Sequence, residues 1–317
     1  MTKVLITGIT GFAGNYLSDY LLKQNKFEVS GTYLNDASLS NLDNKDSVKL
    51  YKLNLIDAES TAKLIQMEKP DYLFHLAALP SANKSYSNPG ETFMNNVLSE
   101  INLLEAIRVN KLSEIKTLVV SSAEVYGLVT AADLPINEEV PFRPTSPYSV
   151  SKLAQDFLGL QYFLAHKLKI VRVRPFNHVG PKQSPHFVVS AFAKRIAQIE
   201  KGYESVLQVG NLESKRDFTD VRDMVRAYLL ALEKGESGDV YNLGSGKSHK
   251  ISEILEIMCG MSTADIIIEQ DPGLIRPTDD PELLCDASKF ENLTGWKPEI
   301  PIEKTLEDTL EYFREIV

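Results

Sequence analysis

Cysteine is scarce in this 317-residue chain. Only Cys259 and Cys285 occur, with no CxxC pair. Two isolated thiols exclude a disulfide framework and a cysteine-based metal site, and they point to a reducing, cytoplasmic setting. No run of 18 apolar residues exists, so no membrane span is expected. The short apolar stretch after Lys3 reads as a core strand and not as a signal peptide. Excess positive charge is also missing: 34 Lys and Arg stand against 43 Asp and Glu, a net charge of -9. That balance argues against nonspecific nucleic-acid binding. The five histidines have no ligand spacing, so no metal is expected. There is no G-x-S-x-G, and a serine hydrolase has no support. Gly244-Ser245-Gly246-Lys247-Ser248 has the look of a P-loop end, but Tyr241 stands where the first glycine is needed. The segment reads as a turn. No linker, repeat or low-complexity tract interrupts the chain.

What is present is more specific. Val4-Leu5-Ile6 reads as a buried parallel strand, followed at once by Gly8-Ile9-Thr10-Gly11-Phe12-Ala13-Gly14. Leu17 and Leu21 then fit an amphipathic helix. Glycines between a strand and a helix suit a dinucleotide pyrophosphate. Gly8 permits the tight turn, Gly11 lets the backbone approach the phosphates, and Gly14 lets helix and strand pack closely. The next strand is expected at Phe27–Tyr33. Beyond it, Tyr33-Leu34-Asn35-Asp36 offers no well-placed acid and no arginine, so NAD and NADP both stay open. Asn35 or Asp36 reaches the ribose in one reading and forms a solvated turn in the other.

The second informative string is Pro147-Tyr148-Ser149-Val150-Ser151-Lys152. Pro147 suits a helix first turn, and a helix running to about Leu168 puts Tyr148 and Lys152 on one face. A phenol is a poor acid–base group near neutrality, and a nearby ammonium lowers its pKa. Ser122 follows the apolar strand Thr117–Val120 and is placed to hydrogen-bond a substrate oxygen. Proton donor, cation and orienting hydroxyl together suit oxidoreduction at a carbon–oxygen bond.

On these strings the chain resembles the extended short-chain dehydrogenase/reductases of the nucleotide-sugar branch. His75-Leu76-Ala77-Ala78, Asn96-Val97, Arg174–Pro181, Arg216–Asp223, Tyr241–Gly246, Arg276-Pro277 and Thr294–Pro298 extend the likeness. Within the branch it is most similar to GDP-4-keto-6-deoxy-D-mannose reductases and their relatives, the GDP-mannose 4,6-dehydratases. Asn177–Pro181, Phe187–Ala193 and Gly210–Asp217 carry that likeness.

The resemblance implies an α/β fold. A Rossmann-type doubly wound parallel sheet spans residues 1–172, and a smaller substrate-binding lobe spans 173–317, with a return to the first domain around 217–244. It implies NAD or NADP as cofactor and a GDP-linked sugar as substrate. Tyr148 would donate the proton, Lys152 would hold the nicotinamide ribose and lower the Tyr148 pKa, and Ser122 would bond the C4 oxygen. Cofactor contacts are implied for Gly8, Gly11, Phe12, Ala13 and Gly14 at the glycine turn. Further ones are implied for Asn35, Asn54, Leu55, Ala77, Ala78 and Asn96. Substrate contacts are implied for Ser81, Ser85, Asn177, Val188, Arg216 and Arg276. His178 faces substrate in one reading and packs in the other.

Glu124 stands where the dehydratases keep the base that removes the C5 proton. Ala123, however, replaces the Asp or Ser found beside it, and a methyl group offers no proton. The reductases also keep a glutamate there, so the reductase is favoured over the dehydratase, and a 4-epimerase would use the same Tyr/Lys pair. Some proteins of this fold only sense NADP, but they usually lack that pair. The helices near Glu91–Asn110 and Pro147–Leu168 form the dimer interface in most relatives, so a homodimer is expected. Ile101, Leu104, Phe157 and Leu160 belong to that interface or to the core.

Overall fold

The computed structural model describes residues 1–80, 82–275 and 281–317. Strand β1 (Thr2–Thr7) passes through the glycine turn into α1 (Phe12–Lys23), and β2 (Phe27–Tyr33) follows. Next come β3 (Lys49–Lys52), α2 (Ala58–Glu68) and β4 (Tyr72–His75). Short α3 (Ala82–Ser87) and α4 (Pro89–Phe93) lead through a π-helical turn at Met94–Leu98 into α5 (Ser99–Val109). The first half closes with β5 (Lys116–Val120), α6 (Pro147–His166) and β6 (Ile170–Pro175).

The central sheet has seven parallel strands in the order β10-β6-β5-β4-β1-β2-β3, where β10 is Val240–Leu243. Its inner strands are largely buried because helices cover both faces, whereas the edge strand β3 stays partly exposed. Leu17 and Leu21 of α1 pack on one face with Met224, Tyr228 and Leu232 of a later helix. Leu64 of α2, Leu103 and Ile107 of α5 and Tyr162 of α6 pack on the other. This is the doubly wound sheet that the alternation of strands and helices predicts. Strand order reverses between β1 and β4, and a crevice opens there beyond the carboxyl ends of the strands.

The second layer of structure begins with β7 (Asn177–Val179), α7 (Val188–Glu200), β8 (Val206–Val209) and β9 (Lys215–Asp220). Then α8 (Val221–Lys234) and β10 return to the central sheet, where β10 pairs with β6. The chain leaves again through β11 (Ser248–Lys250), α9 (Ile251–Gly260), β12 (Ile267–Gln270) and β13 (Glu282–Leu283). It ends with α10 (Ser288–Thr294) and α11 (Ile302–Ile316). Helices α7, α9 and α11 share their own core, built on Phe192, Ile196, Ile254, Leu306 and Leu310.

One helix departs from the simple pattern. The helix expected over Glu91–Asn110 is broken by the π-helical turn, and Asn96 explains why. Its buried amide turns inward, accepting from Leu79 N (2.8 Å) and donating to Ser151 Oγ (2.9 Å). A wider turn lets that side chain reach two other segments. Helix α6 is set by a reciprocal cap: Ser149 N donates to Ser146 Oγ (3.0 Å), and Ser146 N to Ser149 Oγ (2.9 Å). Buried Asp156 then ties α6 to β6, accepting from Arg172 (2.5 Å) and Arg174 (2.7 Å). Cap and ion pairs together fix where Tyr148 and Lys152 stand.

Candidate active site

A cavity of about 850 Å³ lies between the carboxyl ends of β1, β4, β5 and β6 and the second lobe. Its central wall holds Ser122, Glu124, Tyr148 and Lys152. Gly8, Gly11, Phe12, Ala13 and Gly14 line one end. Lys194, Arg195, Asn211 and Arg216 line the other.

Each glycine of the turn has its own reason. Gly8 has φ +69, a left-handed conformation that side chains avoid. A Cβ on Gly14 would sit 2.4 Å from Gly8 O, so α1 could not pack on the turn. A Cβ on Gly11 would meet only Gly8 O, at 3.1 Å, and would project toward the open end. Gly11 caps α1 without a side-chain hydrogen bond, and no acid stands in the first turn. The N–H groups of α1 are therefore suited to an anion, and a dinucleotide pyrophosphate fits this cradle.

Tyr148 is buried at the cavity wall. Burial raises its phenol pKa well above the ordinary value, the Glu124 carboxylate adds to that, and the Ser122 hydroxyl opposes it. The depression expected from Lys152 is not supplied by the protein alone. Lys152 Nζ donates instead to Val120 O and Gln155 Oε1, both at 2.8 Å. Burial lowers the Lys152 pKa, and the Glu100 carboxylate raises it. Ser122 Oγ accepts from Glu124 N (3.2 Å), which holds Glu124 beside the phenol.

A buried relay stands behind Lys152. Gln155 Nε2 lies 3.2 Å from His75 Nε2, and His75 Nδ1 lies 2.9 Å from Thr7 Oγ1. Burial and the Lys152 charge push His75 down to about 3, so its ring is neutral. Thr7 Oγ1 also accepts from Leu76 N and Ala77 N (3.1 and 3.2 Å). These bonds hold the loop after β4, from which Leu76 and Ala78 face the cavity, against the glycine turn.

Of the substrate contacts the resemblance implies, Asn177, Val188 and Arg216 line the cavity. Arg216 Nη1 donates to Lys215 O (2.8 Å). Ser81 and Arg276 lie outside the described residues. Ser85 is fully buried, donates to Ala82 O (2.6 Å) and accepts from Tyr148 N (3.1 Å). It seats the first turn of α6 from behind and does not line the cavity. His178 does line it, with its ring stacked on Phe12 at 5.9 Å, so packing and site contact coexist. Burial lowers its pKa.

Several implied cofactor contacts lie away from the cavity wall. Asn35 Oδ1 accepts from Ala37 N (3.0 Å), and the neighbouring Asp36 pairs with Lys52. Asn54 Oδ1 accepts from Ile56 N (3.1 Å), and Leu55 is buried with its carbonyl bonded to Asn102 Nδ2 (2.8 Å). Ala77 backs onto Gly8, and Asn96 is spent on Leu79 and Ser151 as described above. The turn at Gly244–Ser248 does not line the cavity either. Its N–H groups at Ser245 and Gly246 point at the Asp217 carboxylate (2.8 and 2.9 Å).

Sequence reasoning missed the lobe side of the cavity: Lys194, Arg195 and Gln198 on α7, and Gln208 beside them. The three α7 positions share one polar face at helical spacing, and that was the available signal. Like α1, α7 opens without a side-chain cap and without an acid in its first turn. Among the described residues no cluster of His, Cys, Asp and Glu could hold a metal ion, and no helix is long and apolar enough to cross a membrane.

Comparison with known proteins agrees with this geometry. The chain is 34% identical to the GDP-6-deoxy-D-mannose reductase of Pseudomonas aeruginosa, over 96% of this chain and 94% of that one. It is 32% identical to GDP-mannose 4,6 dehydratase 1 of Arabidopsis thaliana, over 95% of this chain and 86% of the relative. Among solved structures, RMD from Pseudomonas aeruginosa complexed with NADPH matches with a TM-score of 0.88 and 33% identity, over 100% of both chains. The Thermus thermophilus UDP-glucose 4-epimerase complexed with NAD matches with a TM-score of 0.89 and 30% identity, also over 100% of both. The family model described as GDP-mannose 4,6 dehydratase matches residues 5–309, and the chain belongs to that family.

Proposed function

We propose that this protein reduces the C4 carbonyl of a GDP-4-keto-6-deoxyhexose, using NADPH or NADH, to a GDP-6-deoxyhexose such as GDP-D-rhamnose. One observation carries the reading: a phenol kept protonated by burial stands beside a serine hydroxyl and a buried lysine at the wall of a two-lobed cavity. When bound, the nicotinamide cofactor supplies the hydride. The remaining chemistry belongs to the chain. Ser122 orients the C4 oxygen by hydrogen bonding, and Tyr148 gives it the phenolic proton as charge develops there. Lys152 would hold the nicotinamide ribose and, with the cofactor bound, lower the Tyr148 pKa. Gly8, Gly11, Gly14 and the first turn of α1 would hold the cofactor pyrophosphate. Asn177, Arg216 and Lys194, with the first turn of α7, would hold the diphosphate of the sugar nucleotide.

Similarity to the Pseudomonas reductase supports reduction over dehydration. So does Ala123, whose methyl is buried among Val125, Tyr126 and Phe176 and adds no acid beside Ser122. Glu124 supports a second reading, GDP-mannose 4,6-dehydration, because it lines the cavity and its charge reaches Tyr148. Incubation with each nicotinamide and either GDP-mannose or its 4-keto-6-deoxy derivative separates the two. Cofactor oxidation with the keto sugar alone, and a gain of two hydrogens, is the expected result. Loss of water from GDP-mannose without net cofactor consumption would assign the dehydratase, with Glu124 as base. Interconversion of C4 epimers would assign the epimerase. We further infer a cytoplasmic homodimer, from the two unpaired thiols and from the apolar outer face of α4–α6.

A further inference from the structure

Behind the catalytic helix lies a buried carboxyl that no step above uses. Glu100, in the first turn of α5, is 1% exposed, and neither of its carboxyl oxygens has a hydrogen-bond partner. An isolated carboxylate in such a place is costly, and a side chain serving only to fill space would be apolar. The groups that face it are few. From α6 come Lys152, Gln155, Asp156 and Tyr162, and from β4 comes His75 through Gln155. Asp156 repels it, but Arg172 and Arg174 already bind Asp156. Tyr162 is bonded to Glu105 (2.8 Å), and His75 is neutral. The Gln155 amide also favours the carboxylate, although its oxygen is taken by Lys152 and its nitrogen faces His75. Lys152 is therefore the cation that acts on Glu100, and the influence is mutual. The ammonium favours the carboxylate, and the carboxylate favours the ammonium.

We propose that Glu100 is a positioning residue that acts through Lys152, a proton-holding neighbour whose carboxylate keeps the ammonium charged, on the partners Val120 O and Gln155 that hold it, as pH rises. The change is a single O–H ionisation. The carboxyl proton leaves for solvent, and the neutral acid near the ammonium becomes a carboxylate, with no other bond altered. Two of the three ammonium N–H groups are committed to Val120 O and Gln155 Oε1, so the charge is retained where the first turns of α6 meet the cavity. Burial works against the Lys152 charge, and Glu100 offsets it. The inference rests on the catalytic reading of Lys152.

Its test has one arm that needs no turnover. Protein labelled with 13C at the glutamate carboxyls is titrated, and the Glu100 resonance is assigned by its loss in Glu100→Gln and in the smaller Glu100→Thr. Its midpoint should lie well above that of an ordinary glutamate. In Lys152→Met it should climb by about one pH unit or more, as loss of a neighbouring opposite charge requires. The second arm is the pH profile of kcat/KM with the keto sugar. Its alkaline limb should move down by about one pH unit or more in Glu100→Gln. A Glu100 midpoint indifferent to Lys152→Met, or superimposable alkaline limbs in wild type and Glu100→Gln, would overturn the proposal and leave Glu100 a packing residue. Absence of turnover with every sugar nucleotide would instead overturn the proposed function, while the carboxyl titration still decides the pair.

Discussion

Tyr148 and Lys152 are one helical turn apart, and that spacing is legible in the sequence. Their charge states are not, because those depend on groups brought in from other elements. Burial, and then Glu124, keep the phenol protonated, while Val120 O and Gln155 direct the ammonium. In Tyr148→Phe the proton donor is gone and the ring stays. Turnover should fall by about 10²- to 10⁴-fold, with nicotinamide binding retained by fluorescence titration. Retained turnover would remove Tyr148 from the mechanism. Ser85 is illegible for a similar reason: a serine in the short helix α3 gives no hint that its hydroxyl will meet a backbone N–H 63 residues later. His75 carries a prediction about stability. Its folded pKa is about 3, and an unfolded histidine titrates near 6.5. The unfolded chain therefore binds a proton that the folded one refuses. The neutral ring contributes stability above pH 6.5, and that contribution is lost as pH falls toward 3. By pH 4 the loss should be roughly 3 kcal/mol. Thermal unfolding between pH 7 and 4 should be less steeply pH-dependent in His75→Gln than in wild type. Parallel curves would mean that His75 is not the group that titrates.

At the scale of elements, short-range rules carried well where the chain dictates its own geometry. The second strand occupies Phe27–Tyr33, the span expected of it. Helix α6 starts at Pro147 because Ser146 and Ser149 cap each other. The helix over residues 89–109 was less legible. Its π-helical turn exists so that Asn96 can reach Leu79 and Ser151, and neither partner is local. The glycine turn separates packing from binding. A methyl at Gly14 would press on Gly8 O and Ile9 Cα, at 2.4 and 2.9 Å, both backbone atoms. Gly14→Ala should lower stability by about 1–3 kcal/mol, read as a lower Tm. A methyl at Gly11 meets only Gly8 O, at 3.1 Å, and would stand where a pyrophosphate approaches. Gly11→Ala should leave Tm nearly unchanged and weaken cofactor binding by about tenfold or more, at least 1.4 kcal/mol. If both variants lost Tm alike, the distinction between the two glycines would fail.

At the scale of the whole molecule, the site is assembled from two lobes, and only one was easy to read. The strand-and-helix alternation of the first half locates the glycine turn, Ser122 and Tyr148. The lobe side depends on α7 turning Lys194 and Arg195 toward a cavity whose far wall is β4 and β5, and no local pattern encodes that meeting. The outer surface offers a different kind of evidence. Val150, Phe157 and Leu164 follow one another at seven-residue spacing along α6, each more than 40% exposed. Phe93 and Met94 are exposed at the end of α4. Leu104, by contrast, is core. An apolar stripe on a helix whose other face turns Tyr148 and Lys152 to the cavity suits contact with a second copy. Tyr148 and Lys152 lie on the cavity side of α6. Phe157→Glu should therefore convert a dimer to a monomer in sedimentation, because a buried unpaired carboxylate would be left in the interface. The monomer should still bind nicotinamide cofactor. A wild type that is already monomeric, or a Phe157→Glu dimer, would rule out this face as the contact. A monomer that lost cofactor binding would mean that the second copy braces α6, and through it Tyr148.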